Sequence, residues 1–344
     1  MKKSIKILSA VLSAMMLMLL TLTGCGSSQT TSDEGSTQAS APSGATLRVG
    51  VIQYISHSSL DNCYQGIEEA LQAKYGENVI IDRQIGSDSS ADADCATYAN
   101  NMVAQGYDMI IAIATPAASS AYAATEGTDI PVIFCSVSDP VSAKLVNSIE
   151  EPGTLCTGTS DVLDLEGQVD MIQQLQPDVE TIGVLYTTSE VNSITQLNNL
   201  TEICEARGIT VQASGVQNAS DIPAAAAALA AEVDCINNFT DNNVVNNLSV
   251  VLDAANAAGI PVYGSEIEQV KKGCLASNSM DYVAIGRTTG NMAAEVLDGA
   301  DITTMAVRTV SDSTPVVNTE VLEALNLTMP ESLMNEAETI VTEE

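Results

Sequence analysis

Short apolar runs alternate with longer amphipathic segments along the chain from residue 47 onward. This pattern predicts strands at 47–53, 79–84, 108–114 and 131–134, and helices at 59–74 and 92–105. Strands that alternate with helices in this way indicate βαβ units, which build a parallel sheet with right-handed crossovers. We therefore expect the first half of the chain to form one α/β lobe.

The same order of elements restarts in the second half of the chain. Strands are predicted at 181–185, 209–213, 234–239 and 261–263, and helices at 193–207 and 222–231. Local sequence repeats as well, because the strings at 50–52, 108–117 and 129–132 have counterparts, in the same order, at 183–185, 234–242 and 259–262. Such a repeat predicts two lobes of one design. The expected fold class is therefore α/β, with two doubly wound lobes built on parallel sheets.

The N-terminal region has the pattern of a lipoprotein signal. Three lysines at positions 2, 3 and 6 precede an apolar run at 7–20, and small residues lead to Cys25. The run is shorter than the roughly 20 residues that a membrane span needs, although a span or an ordinary signal peptide stays an alternative. We expect residues 1–24 to be removed and Cys25 to be diacylated, with 25–45 as a flexible linker. The protein is then extracytoplasmic and anchored by lipid to the outer face of the cell membrane.

Acidic residues dominate the mature chain. Removal of three lysines leaves 9 of the 12 basic residues against 44 acidic ones, a formal charge of −35. A surface so negative repels nucleic acid and anionic lipid, and nucleic acid is not expected as a partner. Beyond Cys25 the seven cysteines are scattered, without a CxxC spacing and without clustering around His57, so neither a metal nor another cofactor is expected. One disulfide is compatible with this set, with no pair preferred.

Loops that follow the predicted strands hold the candidate ligand groups. In doubly wound sheets, ligands bind beyond the carboxyl ends of the strands. If those ends face each other in the two lobes, one cleft is lined by the loops at 53–61, 115–119, 135–141, 186–193, 240–243 and 264–268. Hydroxyl, amide and carboxylate side chains are abundant in these loops, as a site for a small polar ligand requires.

Six strings along the chain carry a resemblance to a known family. They are VIQYISHSSLDNCYQGI, DMIIAIATPAASSA, IPVIFCSVSDPVSAKLV, TIGVLYTTSEVNS, FTDNNVV and IPVYGSE. These strings resemble those of the tryptophan/tyrosine-type ABC transporter substrate-binding proteins, over residues 47 to about 299. The resemblance implies a periplasmic-binding-protein fold with three hinge crossings, and uptake of a small ligand, commonly an aromatic amino acid, that is passed to a membrane permease. We expect lobe 1 at 46–160 plus about 281–308, lobe 2 at 161–280, an unassigned segment at 309–344, and a monomer.

An amino acid ligand needs partners for its two charged groups. Thr115, Ala117 and Ala118 begin a predicted helix, where the macrodipole favours a carboxylate; a plain helix cap by Thr115 is the alternative. For the ammonium group the candidates are Asp241 and Glu190, since a buried cation needs a carboxylate. Each of these two acids has the alternative role of capping the helix that follows it.

An aromatic ligand also needs apolar walls and a polar shell. Tyr54, Tyr186 and Phe239 end strands on opposing lobes and are predicted to sandwich the ring, with an ordinary core position as the alternative for Tyr186 and Phe239. The first loop adds His57, with a solvated loop histidine as the alternative. Further candidates for ligand contact are Gln53, Leu60, Ser136, Ser138, Asp139, Asn192, Ser193, Thr240, Asn242, Ser265 and Glu266. The Asp139–Pro140 pair also fits simple turn chemistry.

No catalytic signature is readable from the sequence. The chain has one histidine and lacks the G-x-S-x-G, G-x-x-x-x-G-K-[ST] and G-x-G-x-x-G patterns, so we do not expect an enzyme. Two alternatives to an aromatic amino acid receptor stay open. One is a receptor for another small polar solute, and the other is a surface adhesin or interaction lipoprotein.

Overall fold

Two sheets of mostly parallel strands form the framework of the protein in a computed structural model that describes residues 46–343. The predicted leader, Cys25 and the predicted linker lie outside the described residues. The strands in chain order are β1 (Leu47–Gln53), β2 (Val79–Ile85), β3 (Met109–Ile113), β4 (Val132–Cys135), β5 (Cys156–Ser160), β6 (Thr181–Thr187), β7 (Thr210–Val216), β8 (Cys235–Asn237), β9 (Val262–Tyr263), β10 (Ala276–Ser279), β11 (Arg308–Thr309), β12 (Thr314–Asn318) and β13 (Glu338–Ile340).

Helices connect most of these strands. They are α1 (Ser58–Tyr75), α2 (Ala91–Ala104), α3 (Thr115–Thr125), α4 (Leu165–Leu175), α5 (Val191–Ala206), α6 (Ile222–Ala230), α7 (Asn242–Asn246), α8 (Leu248–Ala258), α9 (Ile267–Lys271), α10 (Tyr282–Leu297), α11 (Thr319–Ala324) and α12 (Glu331–Met334). Among residues 46–343, no helix combines the length and the apolar character that crossing a membrane requires.

The first lobe is the sheet β11-β5-β4-β3-β1-β2 with its helices. Neighbouring strands in this sheet are all parallel. Helices α1 and α10 pack on one face, and α2 and α3 pack on the other. Every residue of the central strand β3 is buried, as expected for a strand covered by helices on both faces.

The second lobe is the sheet β13-β12-β10-β9-β8-β6-β7 with its helices. Within the described part of this sheet the β10–β12 pair is antiparallel and the other pairs are parallel, so β12 and β13 run opposite to the other five strands. Helices α4 and α5 cover one face, and α6 and α8 cover the other. The C-terminal strands β12 and β13 extend this second sheet. The α/β class with two sheets of mostly parallel strands is confirmed.

The chain passes between the lobes three times, at residues 161–164, 280–281 and 310–313. After the second passage, α10 returns to the first lobe and packs closely against α1. Glycines permit this approach: a Cβ added at Gly66 would lie 2.1 Å from the carbonyl oxygen of Val283, and one added at Gly286 would lie 2.0 Å from that of Cys63. This contact fixes the start of α10 beside the carboxyl ends of the first sheet.

Candidate ligand-binding site

A cavity lies between the two lobes, beyond the carboxyl ends of their strands. Its wall comes from the first lobe (His57, Ser59, Leu60, Ala114, Thr115, Ser136, Ser138 and Tyr282), from the second lobe (Asn192, Thr240, Asn242, Val245 and Glu266) and from the first crossing (Asp161). Its wall combines a few polar groups with apolar side chains, as sites for small molecules do. Within residues 46–343, no cluster of three or more metal-ligating side chains is present.

Two strained backbone positions shape the first-lobe wall. Ala114, between β3 and α3, has φ of 80°, and Ser136, after β4, has φ of 57°. Positive φ at a non-glycine residue costs on the order of 1–3 kcal/mol and persists only where the surroundings impose it. The amide of Ala114 donates to the carbonyl of Cys135 at 3.0 Å, which holds this turn. Thr115 begins α3 and lines the cavity, while Ala114 occupies the cap position without a side-chain cap.

Asp161 joins the first lobe to two crossings at the base of the cavity. Its carboxylate accepts hydrogen bonds from the hydroxyls of Ser136, Ser138 (3.2 Å) and Tyr282 (3.2 Å). Burial raises the pKa of Asp161, and the hydroxyl donors oppose that effect. The carboxylate is therefore satisfied by the protein before any ligand arrives.

Glu190 orients two amides of the second-lobe wall. Its oxygens accept from Asn192 Nδ2 at 3.2 Å, from Asn242 Nδ2 at 2.6 Å, and from the backbone amides of Asn242 and Asn243, each at 3.2 Å. Burial, together with the nearby charge of Asp241, raises the pKa of Glu190 to about 8. Because Asn192 turns its amide nitrogen to Glu190, its Oδ1 is left without a hydrogen-bond partner.

Asp241 caps helix α7 and does not line the cavity. Its carboxylate accepts from the amide and hydroxyl of Thr187, from the hydroxyl of Ser193 at 2.7 Å and from the amide of Val244 at 2.9 Å. Glu190 does not line the cavity either. The structure therefore places both predicted ammonium partners in the wall behind the cavity, and Asp241 has the capping role that the sequence left as its alternative.

Four buried side-chain atoms without a hydrogen-bond partner belong to residues on the cavity wall. They are His57 Nδ1, Ser59 Oγ, Asn192 Oδ1 and Glu266 Oε2. A buried polar atom without a partner costs about 1–3 kcal/mol, and native proteins contain few of them. Burial raises the pKa of Glu266 to about 7 and lowers the pKa of His57 to about 4. This concentration of unsatisfied atoms is what a site built for a polar ligand requires.

The structure brings nine of the predicted contact residues to the cavity. They are His57, Leu60, Thr115, Ser136, Ser138, Asn192, Thr240, Asn242 and Glu266. They come from all six predicted strand-end loops, and the fourth loop, 186–193, contributes only Asn192. The rule that ligands lie at the carboxyl ends of strands therefore located the cavity.

The other predicted contacts do not line the cavity. Ala117 and Ala118 of α3 pack in the core of the first lobe, and Tyr186 and Phe239 pack in the core of the second lobe. Tyr54 lines a separate cleft. The remaining side chains are held by internal hydrogen bonds: Gln53 to Ile55, Asp61 and Arg83, Asp139 to the amide of Ser142, Ser193 to Asp241, and Ser265 to Asn238.

Sequence reasoning missed five wall residues. Ser59 lies inside a loop that was already a candidate, and Ala114 and Val245 lie within two residues of one. Asp161 begins the first crossing directly after β5, a strand that the sequence pattern did not predict, and Tyr282 follows the second crossing. A prediction of β5 would have drawn attention to Asp161.

Direct contacts hold the lobes together beside the cavity. Gln196 Nε2 of the second lobe donates to Ser138 Oγ of the first at 3.1 Å and to Thr240 Oγ1 at 2.8 Å. Asn62 Nδ2 of the first lobe approaches Glu268 Oε1 of the second at 3.5 Å. With its wall drawn from both lobes, the cavity belongs to a closed arrangement of the molecule.

Comparisons with known proteins agree with this geometry. A sequence model of the family described as ABC transporter substrate binding protein matches residues 48–341. A curated protein of Clostridioides difficile, strain R20291, named tyrosine-binding protein, is 34% identical over 331 residues, which cover 94% of this chain and 93% of the relative. The family resemblance inferred from the sequence is confirmed.

Two solved structures bear on the arrangement of the lobes. A Streptococcus pneumoniae ABC domain in complex with L-Trp is 34% identical, covers 86% of this chain and all of its own, and has a TM-score of 0.82. The ligand-free, open structure of a Clostridium difficile substrate binding protein with adhesive properties is 32% identical with the same coverages, but its TM-score is 0.66. Since the identities are nearly equal, the difference in TM-score agrees with a closed arrangement here.

Proposed function

Because the chain belongs to the ABC transporter substrate binding protein family, we propose that it is the extracytoplasmic receptor of an ABC importer for an aromatic amino acid. The observation that carries the proposal is the cavity between the lobes, with unpartnered polar atoms on its wall. Because the family binds solutes, we propose no enzymatic activity.

The chemistry of the wall supports an amphipathic zwitterion. Thr115 at the start of α3 offers a hydroxyl and a helix N-terminus to a carboxylate. Glu266 offers a carboxylate to an ammonium group, and Leu60, Val245 and Tyr282 offer apolar surface to a ring. The names of the relatives, one tyrosine-binding and one solved with L-Trp, support the same ligand class. The cavity has one aromatic side chain on its wall, so another small polar solute is the alternative.

Direct binding measurements test the ligand. The chain contains no tryptophan, so the change in L-tryptophan emission on binding is measured without a contribution from protein tryptophan, and calorimetry extends the panel to L-tyrosine and L-phenylalanine. We expect at least one of the three to bind with a Kd below about 100 μM, or about 5.5 kcal/mol. If none does, the aromatic assignment is wrong, and binding of a different solute would retain only the receptor role.

A pair of matched variants ties binding to the cavity. Val245 is buried on the cavity wall, whereas Val141 is 42% exposed. Val245→Phe fills the cavity and should abolish binding, while Val141→Phe adds the same atoms at the surface and should leave the Kd unchanged. Thermal unfolding of both variants checks that they are folded. Equal affinities in the two variants would place the ligand elsewhere.

We propose closure of the lobes about the three crossings when the ligand binds. Contacts to both walls exist only in the closed form, so a ligand that bridges them shifts the population toward it. X-ray scattering should show a smaller radius of gyration at saturating ligand for a monomer of unchanged mass. Identical scattering profiles with and without ligand would contradict closure.

The proposed location rests on the sequence. Cleavage before Cys25 and its acylation would anchor the receptor to the membrane, and residues 25–45 would span roughly 25 Å as a flexible chain. That reach lets the receptor deliver its ligand to a permease in the same membrane. Cys25→Ser should release the protein to the medium or leave it unprocessed. Unchanged membrane retention together with normal processing would contradict the anchor.

A surface adhesin is the second candidate function. It is favoured by the printed description of one relative as a substrate binding protein with adhesive properties. The Val245→Phe variant separates the two functions, since an adhesin with a filled cavity should retain attachment of cells while a receptor loses ligand uptake.

A further inference from the structure

Four buried carboxyl groups surround or support the cavity, and they differ in how well the protein satisfies them. Asp161 accepts three hydrogen bonds, and Glu190 and Asp241 accept four each. Glu266 accepts one, from Gln269 Nε2 to Oε1 at 3.3 Å, and the hydroxyl of Ser59 in the first lobe lies close enough to its carboxyl group to oppose the rise of its pKa on burial. Its side chain is buried, with a residue exposure of 2%, and its Oε2 has no partner.

We propose that Glu266 is the specificity-determining residue of the site, and that its Oε2 accepts a hydrogen bond from the ammonium group of the ligand. The inference rests on the proposed function and deepens it, because it assigns the group that distinguishes an amino acid from the corresponding acid without the amine. Glu266 and Asp161 are the two acids on the cavity wall, and Asp161 is already occupied by hydroxyl donors.

Two further acceptors on the wall complete the environment of an ammonium group. Asn192 Oδ1 is unpartnered because Asn192 Nδ2 donates to Glu190 and to the carbonyl of Thr240. His57 Nδ1 is also unpartnered, and burial lowers the pKa of His57, which keeps the ring neutral and able to accept. An ammonium group has three N–H donors, and Oε2 of Glu266 with these two atoms provides three acceptors.

The charges near Glu266 favour the same assignment. Glu268 and Lys272 act on its carboxyl group in opposite directions, and the other titratable groups beside it are the thiols of Cys63 and Cys274 and the phenol of Tyr282. No cation of the described chain pairs with Glu266 in a salt bridge. A buried carboxylate without a countercharge is costly, and a cationic ligand removes that cost.

A comparison of two ligands in three proteins tests the assignment. The ligands are L-tyrosine and 3-(4-hydroxyphenyl)propionate, which lacks the amine. We expect the wild-type protein to prefer L-tyrosine. Glu266→Gln should weaken L-tyrosine by at least about 10-fold, while the propionate binds with unchanged or higher affinity because it no longer meets a carboxylate. Asp139→Asn is the matched control, because Asp139 does not line the cavity, and should leave the ratio of the two Kd values near that of wild type.

The propionate makes the test independent of folding. A variant that has lost its structure cannot keep or gain affinity for this ligand. An equal loss for both ligands in Glu266→Gln would overturn the assignment, as would a collapse of the ratio in Asp139→Asn. If the wild-type protein binds neither compound, the proposed function fails for tyrosine-like ligands and the assignment fails with it. If the wild-type protein binds both equally, only the assignment fails.

Discussion

Acidification should change the ratio of closed to open molecules of the ligand-free protein through two cavity residues, Glu266 and His57, whose effects oppose each other. Glu266 has a pKa of about 7 in the closed form against an ordinary value of 4.5. Opening hydrates its carboxyl group, so the closed form binds the proton more tightly and a fall in pH favours closure. Between pH 8 and pH 5 these two pKa values change the ratio of closed to open molecules by about 70-fold toward closed.

His57 opposes this effect. Its pKa is about 4 in the closed form against an ordinary value of 6.5, so the open form binds the proton more tightly. Over the same pH interval, His57 shifts the ratio by about 30-fold toward open. The two contributions therefore oppose each other over this pH interval. Asp161, whose pKa burial also raises, adds to the direction of Glu266.

Two variants separate the contributions, and small-angle X-ray scattering without ligand measures them. His57→Gln removes the opposing group, so this variant should become more compact from pH 8 to pH 5. In Glu266→Gln, His57 remains and favours the open form as the pH falls, with Asp161 acting in the opposite direction. At pH 5 this variant should therefore be less compact than His57→Gln. The wild-type protein should lie between the two. A change of the same sign and size in both variants would refute the assigned titrations.

Three further changes have expected outcomes. Gln196→Ala removes the contact to Ser138 across the cleft and should weaken ligand binding by about 5-fold, or about 1 kcal/mol, by calorimetry; an unchanged Kd would exclude a role in closure. Asp241→Ala leaves buried donors unpaired and should lower the free energy of unfolding in urea by about 3 kcal/mol; a loss below about 0.5 kcal/mol would contradict the capping role. Gly286→Ala forces a Cβ against the carbonyl oxygen of Cys63 and should lower the midpoint of urea unfolding, which a surface substitution would not change.

The two sheets could be predicted from the sequence because their buried strands are short, continuous apolar runs. Strand β3 is apolar throughout, and each of its residues is buried. Its ends lie within one residue of the predicted bounds, 108–114. Strand-end loops were predictable for the same reason, since a parallel sheet presents all carboxyl ends on one edge. This rule alone was enough to predict that Thr115, Ser136 and Glu266 line the cavity.

The partners of each side chain were not predictable in the same way. Asp241 and Glu266 both follow strands of the second lobe, and nothing local distinguishes them. What separates them is tertiary: Thr187, 54 residues away along the chain, and Ser193, 48 residues away, donate to Asp241. Periodicity and composition carry no information about such distant donors. The sequence therefore named Asp241 and Glu190 as partners of the ammonium group, whereas the proposal above names Glu266.

Unsatisfied buried atoms locate a site more sharply than residue types do. Buried acids are expensive, and a protein usually offsets their cost with its own donors, as it does for Asp161 and Asp241. A residue such as Glu266 retains an unpaired oxygen only where some other molecule supplies the donor, or where the folded state bears the cost. Because Asn192 and His57 present unpaired atoms on the same cavity wall, the cost is concentrated where one bound group can remove it. Ligand binding then supplies both the bridge between the lobes and the donors that the closed form lacks, which couples recognition of the ligand to closure.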